Sequence, residues 1–313
     1  MTLDALASPV RRRRTAARQR TKAKANTIRR RPWSGIGIDI STRSLTRIWA
    51  PGMLALLAIW MLLYGLVLSA LVEHRAQHVL YAKLREQLAA ATAPPASTAA
   101  PGDPIAVLSA PSIGISRLVV VEGSAARTLE SGPGHLPGTA FPGQAGASFI
   151  LGKAVTFGAP FAHINRLQAG APITVVTGQG TFHYRVVDVR RVHDPVPPLT
   201  VPRIVLVTST GSGWRSGWAP SGALYVDADM VGTAAATSAP SVQPLADRAM
   251  AIDTSALVPL FLWTLALTIG ATAIWFAVRR GRGRAAWLVG TPLTLACLWG
   301  AASAIFALVP NVI

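Results

Sequence analysis

Side chains able to do chemistry are few in this chain of 313 residues, and thiol chemistry has a single candidate. Cys297 is the only cysteine, and it lies in a strongly apolar stretch. One cysteine excludes an intramolecular disulfide, a cysteine-based zinc site and an iron–sulfur cluster. Any reaction through a thiol would therefore have to use Cys297.

The other candidate ligands are histidines and a pair of aspartates. The histidines of the strand-rich part of the chain are His135, His163, His183 and His193. No two of them have metal-ligand spacing. Asp227 and Asp229, at positions i and i+2, share one strand face and could help to hold calcium, but two exposed strand carboxylates are more commonly just solvated. We therefore predict no metal site and no cofactor.

The positive charge of the chain is concentrated in two short segments. The formal net charge is +17. Residues 1–47 carry 13 Lys and Arg against two acids, a net charge of +11, and the four arginines of segment 279–284 add +4. Both segments adjoin long apolar runs, where positive charge stays on the cytoplasmic side. A basic tail could also bind nucleic acid, but its place beside a membrane span favours the topological role, and we predict no nucleic-acid partner.

Three windows are long and apolar enough to cross a bilayer. No charged residue lies in 48–72, and runs of similar character cover 257–278 and 285–309. At 1.5 Å per residue, a span of this length reaches about 37 Å, which crosses a hydrocarbon core of about 30 Å with some tilt. The lipid bilayer is thus one predicted partner. We predict a multi-pass plasma-membrane protein with a cytoplasmic N-terminus and its largest domain outside.

The part between the first two spans is predicted to be mainly β-structure. Leu80, Leu84 and Leu88 recur every four residues and predict a helix over 73–90, before a linker rich in Ala and Pro. Short strand-like segments broken by Gly and Pro then follow, and ITVV and TFHYRVV, joined by 177–180, indicate a hairpin. The predicted division is a basic tail at 1–47, spans at 48–72, 257–278 and 285–309, a helix and linker at 73–104, a β-barrel at 105–231, a second linker at 232–256 and a cytoplasmic loop at 279–284.

Two groups of Gly- and Pro-rich motifs carry a resemblance to a known family. The first is SGPGHLPGT at 131–139 with PGQAG at 142–146, and the second is GAPF at 158–161 with LQAG at 167–170. In this order they resemble the segments that flank the catalytic histidine strand of actinobacterial sortases, class E-like. The resemblance covers about residues 105–231. It implies an eight-stranded β-barrel, here anchored by three transmembrane α-helices, and transpeptidation that joins surface proteins to the cell wall or to pilus subunits.

The residues that carry this chemistry in the family have no counterparts here. In sortases a cysteine attacks the backbone carbonyl of a sorting signal, a histidine handles protons and an arginine stabilises the oxyanion. The resemblance places Lys153, in ILGK, where the family has a histidine in a pattern like LAGH. It places Ser209, in LVTS, where the family has the cysteine of LTTC, and Ala223 where an arginine opens the last strand. The resemblance thus predicts a catalytically silent domain that serves as a binding or scaffold subunit in the cell envelope.

Two active alternatives stay open at this point. Ser209 with Lys153 as its base would make a serine–lysine acyl transferase or hydrolase acting on surface-protein peptides. Such a base must be largely neutral, which requires strong desolvation or another nearby positive charge. A site assembled from other residues would most obviously use His135, although a histidine in a Gly/Pro loop is more commonly a loop hydrogen-bonding residue.

A loop rich in Gly and Ser, 211–220, carries the predicted binding residues. Trp214 and Trp218 lie in the segment that borders the substrate groove in sortases. Two tryptophans there either fold back over the empty pocket or anchor a partner. Together with Arg215 and His135 they form the predicted binding set. The predicted partner is another membrane or cell-envelope protein, with a peptide in the groove as the other partner considered.

The charge asymmetry gives a testable topology. Residues 73–253 and the C-terminus should lie outside the cell, and the 279–284 loop should lie inside. Cysteines introduced at Ser97 and Gly283 should therefore differ in labelling by a membrane-impermeant thiol reagent on intact cells, with Ser97→Cys labelled and Gly283→Cys protected. Equal labelling of the two positions would refute the arrangement.

Overall fold

The computed structural model describes residues 55–93, 99–210, 222–236, 254–281 and 283–309, with side chains of 283–287 excepted. Three helices in these ranges are long and apolar enough to cross a membrane. Helix α1 covers Ala55–Ala89, α2 covers Leu257–Arg279 and α3 covers Gly283–Ala307. The large apolar side chains of all three helices are extensively exposed, as expected of surfaces that face lipid rather than water.

Helix α1 is continuous across the point where the sequence changes from apolar to charged. The sequence divides it at Glu73 into a membrane span and a separate helix, but neither Gly nor Pro interrupts 66–90, so no backbone feature ends the helix there. A π-helical turn at Tyr64–Leu68 is the one irregularity that the described part of α1 contains. The change of polarity at Glu73 therefore does not mark the end of a helix.

Eight strands between α1 and α2 close into a barrel, which confirms the predicted fold class. The strands are β1 Pro104–Ala110, β2 Ile115–Glu122, β3 Gly134–His135, β4 Ala147–Leu151, β5 Pro172–Thr177, β6 Gly180–Arg191, β7 Arg203–Thr210 and β8 Gly222–Val231. Their order around the barrel is β1-β2-β3-β4-β7-β8-β6-β5, and β5 pairs with β1. The predicted hairpin is formed by β5 and β6, with Thr177 paired to Gly180 across a two-residue turn.

The barrel has a filled interior and a second, smaller apolar cluster on its outside. Alternate side chains of each strand point inward, because successive residues of a strand face opposite sides of the sheet. Ile150, Leu206 and Val226 belong to the interior core. Their neighbours along the same strands, Leu151 and Val207, lie in the outer cluster. Strands β4 and β7 are therefore covered on both faces, unlike β6, where exposed and buried residues alternate.

Helix α1 packs along the barrel beyond the membrane. Leu84 is fully buried against Val107 of β1 and Val119 of β2. The side-chain amide of Gln77 behaves like an extra strand residue, since its Oε1 accepts from the Val119 N–H at 2.8 Å and its Nε2 donates to the Val119 carbonyl at 3.1 Å. Nε2 also donates to the Ser131 carbonyl at 2.8 Å. Helix and barrel thus form one packed body.

Helices α2 and α3 form the hairpin that the short basic loop predicts. Small residues allow the two helices to approach closely. A Cβ added at Gly300 would lie 2.2 Å from the Trp263 ring, and one added at Gly290 would lie 2.6 Å from Ile274. The small residues of α3 therefore serve the packing of this hairpin.

Leu84→Ala should weaken the attachment of α1 to the barrel. Removal of a fully buried leucine costs about 2–5 kcal/mol through lost burial and the residual cavity. We expect a lower midpoint in thermal unfolding of the full-length protein in detergent, followed by near-ultraviolet circular dichroism. Val79→Ala is the matched control, because Val79 lies on the same helix and is 63% exposed. Equal midpoints for the two variants would contradict the packing described above.

Candidate functional site at the junction of three strands

Three neighbouring strands bring Lys153, Ser209 and Ala223 together at one end of the barrel. Strand β4 runs parallel to β7, with Leu151 beside Val207, so Lys153 emerges next to the end of β7. Strand β8 runs antiparallel to β7 and pairs Ala223 with Ser209. The positions that the resemblance aligns with one catalytic site therefore share one place in this structure.

Two of these positions, Ser209 and Ala223, share the outer face of the barrel wall. Along β7, Ser209 alternates in step with Val205 and Val207, which belong to the outer cluster. Ala223 is itself a member of that cluster and is buried. Thr208, between these residues, donates from its Oγ1 to the Gly152 carbonyl at 2.8 Å and ties the end of β7 to the residue before Lys153. The junction is thus a fixed structural element.

Lys153 is a buried cation with an unusual environment. Its side chain is 1% exposed, and its Nζ lies 5.2 Å from the centroid of the Phe157 ring. Burial lowers the pKa of Lys153 to about 8, and the nearby Glu130 carboxylate acts in the opposite direction. Burial raises the pKa of Glu130 to about 7, opposed by the charges of Lys153 and Arg127. Burial therefore disfavours the charged form of both groups, while each charge favours the other.

The side chains do not form a serine–lysine dyad in this structure. Among the described residues, no hydrogen bond joins Lys153 Nζ to Ser209, although the backbone places them at one junction. Ala223 offers only a methyl group where the family has its oxyanion donor. The junction holds a buried ammonium group, a hydroxyl and an apolar wall.

The 153–160 loop, which begins at Lys153, is held by the membrane helices. Phe157 packs in a buried cluster with Tyr64 of α1 and with Ala302 and Phe306 of α3. Its backbone N–H donates to Ser69 Oγ at 3.0 Å. Its φ of +50° is rarely adopted by a residue with a side chain. Sequence reasoning missed this contact; the available signal was a large aromatic residue inside a Gly/Pro-rich loop.

His135 lies on the interior face of the barrel, and both of its ring nitrogens have hydrogen-bonding partners. It pairs with Ile150, an interior residue, and its ring makes an edge contact with Phe141. Its Nδ1 lies 2.9 Å from Glu122 Oε2 and its Nε2 lies 2.9 Å from the Ala140 carbonyl. The residue therefore has the loop hydrogen-bonding role, and the structure does not bring it to the junction with Lys153 and Ser209.

The paired aspartates form ion pairs with arginines and are not simply solvated, which corrects the expectation for them. Asp227 is 1% exposed and accepts from Arg190 Nε at 2.6 Å. Asp229 accepts from Arg203 Nε at 2.6 Å. The charges come from β6 and β7, too far along the chain for sequence spacing to reveal. In the part of the chain that the structure describes, no group of three or more potential ligands could hold a metal ion.

Trp214, Arg215 and Trp218, three of the four predicted binding residues, lie outside the described residues.

Comparison with known proteins gives a family match for most of the barrel sequence. Residues 108–212, from within β1 to beyond the end of β7, match the family model for the sortase domain. Among solved structures, the chain is similar to a sortase D5 transpeptidase from Clostridium perfringens. The identity is 25%, the match covers 51% of this chain and 99% of that one, and the TM-score is 0.40. The fold assignment rests on the family match together with the barrel topology.

Other sortases show similarity of the same order. Sortase E1 from Streptomyces coelicolor, solved with a tripeptide in its active site, is 27% identical over 43% of this chain and 92% of that one, with a TM-score of 0.35. Sortase A from Corynebacterium diphtheriae is 21% identical over 53% of this chain and 91% of that one, with a TM-score of 0.36. No curated protein sequence matches the chain.

Burial of the Lys153 cation gives a pH-dependent prediction. At pH 7 the lysine is mainly charged in both the folded and unfolded states, so its burial opposes folding. Between the folded pKa of about 8 and the ordinary value of 10.5 the unfolded chain binds more protons, and stability therefore rises with pH. Lys153→Met should accordingly stabilise the protein at pH 7 by on the order of 1–3 kcal/mol, with the gain shrinking by pH 10.

Thermal unfolding of the two proteins at pH 7 and pH 10 measures this difference. Because the Lys153 charge also lowers the Glu130 pKa, the comparison is made in a Glu130→Gln background, where the lysine contribution is isolated. Lys83→Met is the matched control, because Lys83 is half-exposed and pairs with Asp103 at 2.8 Å. A destabilising effect of Lys153→Met at pH 7 would show that the buried charge is compensated.

Proposed function

We propose that the protein is a membrane-anchored sortase-like binding subunit that holds a peptide segment without cleaving it, since part of its barrel matches the sortase-domain family model. The observation that carries the proposal is the content of the strand junction: Lys153, Ser209 and Ala223 occupy one edge of β4, β7 and β8. The Streptomyces coelicolor sortase E1 structure has a tripeptide in its active site, and we assign a peptide to the corresponding place here.

The absence of a thiol argues against sortase-type transfer. A thiol near its reference pKa of about 8.5 supplies some thiolate at neutral pH, whereas a serine hydroxyl requires an adjacent base. Lys153 retains a pKa of about 8 and is mainly protonated at pH 7. Ala223 leaves the oxyanion without a side-chain donor, an interaction commonly worth about 3–4 kcal/mol. Groups that act as a unit lose nearly all activity when one is removed, and here all three differ.

The buried charge supports binding as the retained role. Lys153 and Glu130 would offer a partly desolvated ammonium and carboxylate to a peptide backbone, where hydrogen bonds to charged groups contribute more than neutral ones. The partly buried side chains packed against the outer cluster, Leu136, Phe149 and Tyr225, would contact apolar side chains of the peptide. We propose another membrane or cell-envelope protein as the source of the peptide, and we place the barrel on the outer side of the plasma membrane.

A serine–lysine acyl transferase or hydrolase is the second candidate. The observation that favours it is the burial of Lys153, which lowers its pKa towards the range that a general base needs. In this alternative a neutral Lys153 accepts the proton of Ser209 as the hydroxyl attacks a carbonyl. The side chains would have to move into hydrogen-bonding distance on substrate binding.

One experiment on the full-length protein separates the two candidates. The protein in detergent is treated with an activated p-nitrophenyl ester, and its intact mass is followed at pH 7 and pH 9. The binding proposal predicts no acyl adduct at Ser209 at either pH. An adduct that Ser209→Ala and Lys153→Ala each abolish would establish the dyad and overturn the silent-site proposal.

Peptide binding is tested in parallel by fluorescence anisotropy with a labelled sorting-signal peptide. Ser209→Trp places a large ring at the junction and should weaken binding by about tenfold or more, a loss of at least about 1.4 kcal/mol. Thr181→Trp is the matched control, because Thr181 is exposed on β6, away from the junction. No binding by the wild type, or equal binding by both variants, would exclude the junction as a peptide site.

A further inference from the structure

A polar cleft separate from the strand junction lies where the barrel meets the membrane surface. It has a volume of about 580 Å³ and opens between α1, the start of β2 and the 153–160 loop. Basic and hydrogen-bonding side chains dominate its lining: His74, Gln77, His78, Tyr81, Ser116 and Arg117. Nothing proposed for the strand junction uses this cleft.

The depth of the cleft relative to the bilayer follows from α1. The apolar part of α1 ends at Val72, and a rise of 1.5 Å per residue places His74 about 3 Å and His78 about 9 Å beyond it. The polar headgroup layer extends about 5–7 Å from each side of the hydrocarbon core. His74 therefore lies within the headgroup layer and His78 lies just beyond it, whichever side of the membrane the barrel occupies.

His74 and His78 lie one turn apart on α1, and their rings contact each other where they line the cleft. Their Nε2 atoms are 3.0 Å apart, and their rings meet edge to face at a centroid distance of 4.5 Å. Both side chains are exposed. In this arrangement one Nε2 donates to the other, and an anionic acceptor beside the pair would replace that bond and receive a hydrogen bond from each ring.

Arg117 supplies the charge that selects the kind of ligand. It is exposed at the start of β2, with its guanidinium 5.9 Å from the centroid of the Tyr81 ring. Within the described ranges no carboxylate forms an ion pair with it. The acidic side chain that lines the cleft, Glu73, is buried and directed at Gly158. A guanidinium beside two imidazoles disfavours a metal cation and favours an anion.

We propose that this cleft binds the phosphate of an anionic phospholipid headgroup, with Arg117 and the His74–His78 pair as its donors. Guanidinium groups match phosphate oxygens with two parallel hydrogen bonds, which makes arginine the usual residue for this recognition. Tyr81 and Ser116 line the remaining polar wall. The site would fix the height and orientation of the barrel over the bilayer, since α1 and β2 both contribute to it.

Histidine modification in nanodiscs tests the site on the full-length protein. Diethyl pyrocarbonate modification of each histidine is followed by peptide mass spectrometry, in phosphatidylcholine alone and with added phosphatidylglycerol. Phosphatidylglycerol should slow modification of His74 and His78 by about tenfold, the change expected when a charge-assisted hydrogen bond forms. His163 and His183, which are exposed on the barrel, should react at unchanged rates.

Two arginine variants separate a specific site from general surface charge. Arg117→Gln should abolish the protection by phosphatidylglycerol. Arg75→Gln also removes one arginine charge. Arg75 lies next to His74 on α1 but outside this cleft, so protection should persist. Loss of protection in both variants, or equal rates in the two bilayers, would overturn the proposal.

Two further additions identify the source of the ligand. Inorganic phosphate that protects the histidines in phosphatidylcholine, while phosphatidylglycerol does not, would overturn the lipid and assign a soluble phosphate group. Zinc that protects them equally in the wild type and in Arg117→Gln would assign a metal and overturn the anion. Protection by phosphatidylglycerol that excess inorganic phosphate reduces would support the proposed headgroup.

Discussion

The position of every group at the strand junction depends on the burial of β7 on both faces. Ile204 and Leu206 fill the barrel interior, while Val205 and Val207 pack in the outer cluster. A shift of one residue would exchange the two sets and bring Ser209 to the inside. Because both faces of β7 bury apolar side chains, the register of β7 with β4 and β8 is strongly specified. The junction is a consequence of this register.

The barrel and the membrane helices are packed together and not joined only by linkers. Helix α1 contributes Leu84 and Gln77 to the barrel, and the barrel contributes Phe157 to the helices. Phe306 of α3 approaches so closely that a Cβ at Gly65 would lie 2.5 Å from its ring. The backbone strain at Phe157 is tolerated because the cluster buries its ring. The loop that begins at Lys153 is therefore positioned by the barrel, by α1 and by α3.

The buried Lys153 lowers the stability of the folded protein. Desolvation opposes the charged form, and an apolar residue of similar size would not incur it. The nearby Glu130 offsets part of the cost through its charge. Charged groups buried at a cost are more often associated with binding or reaction than with stability. This reasoning supports the proposed ligand at the junction.

Much of the architecture follows from the sequence alone, because it depends on local patterns. Hydropathy over 48–72 and the two later windows indicates the membrane helices, and short segments separated by Gly and Pro indicate the barrel. Motif order is enough to point to the sortase family. The lack of a cysteine in the barrel is a property of the sequence and needs no structure.

Other features required the tertiary structure, because they join residues far apart in the chain. Spacing could not show that Asp227 pairs with Arg190 or that His135 is bound by Glu122. It could not show that Lys153 is buried, since burial depends on elements that arrive from elsewhere, among them Phe157 and, through it, α3. The continuity of α1 through Glu73 was hidden for another reason: polarity marks where a helix leaves the membrane, whereas backbone hydrogen bonding decides where it ends.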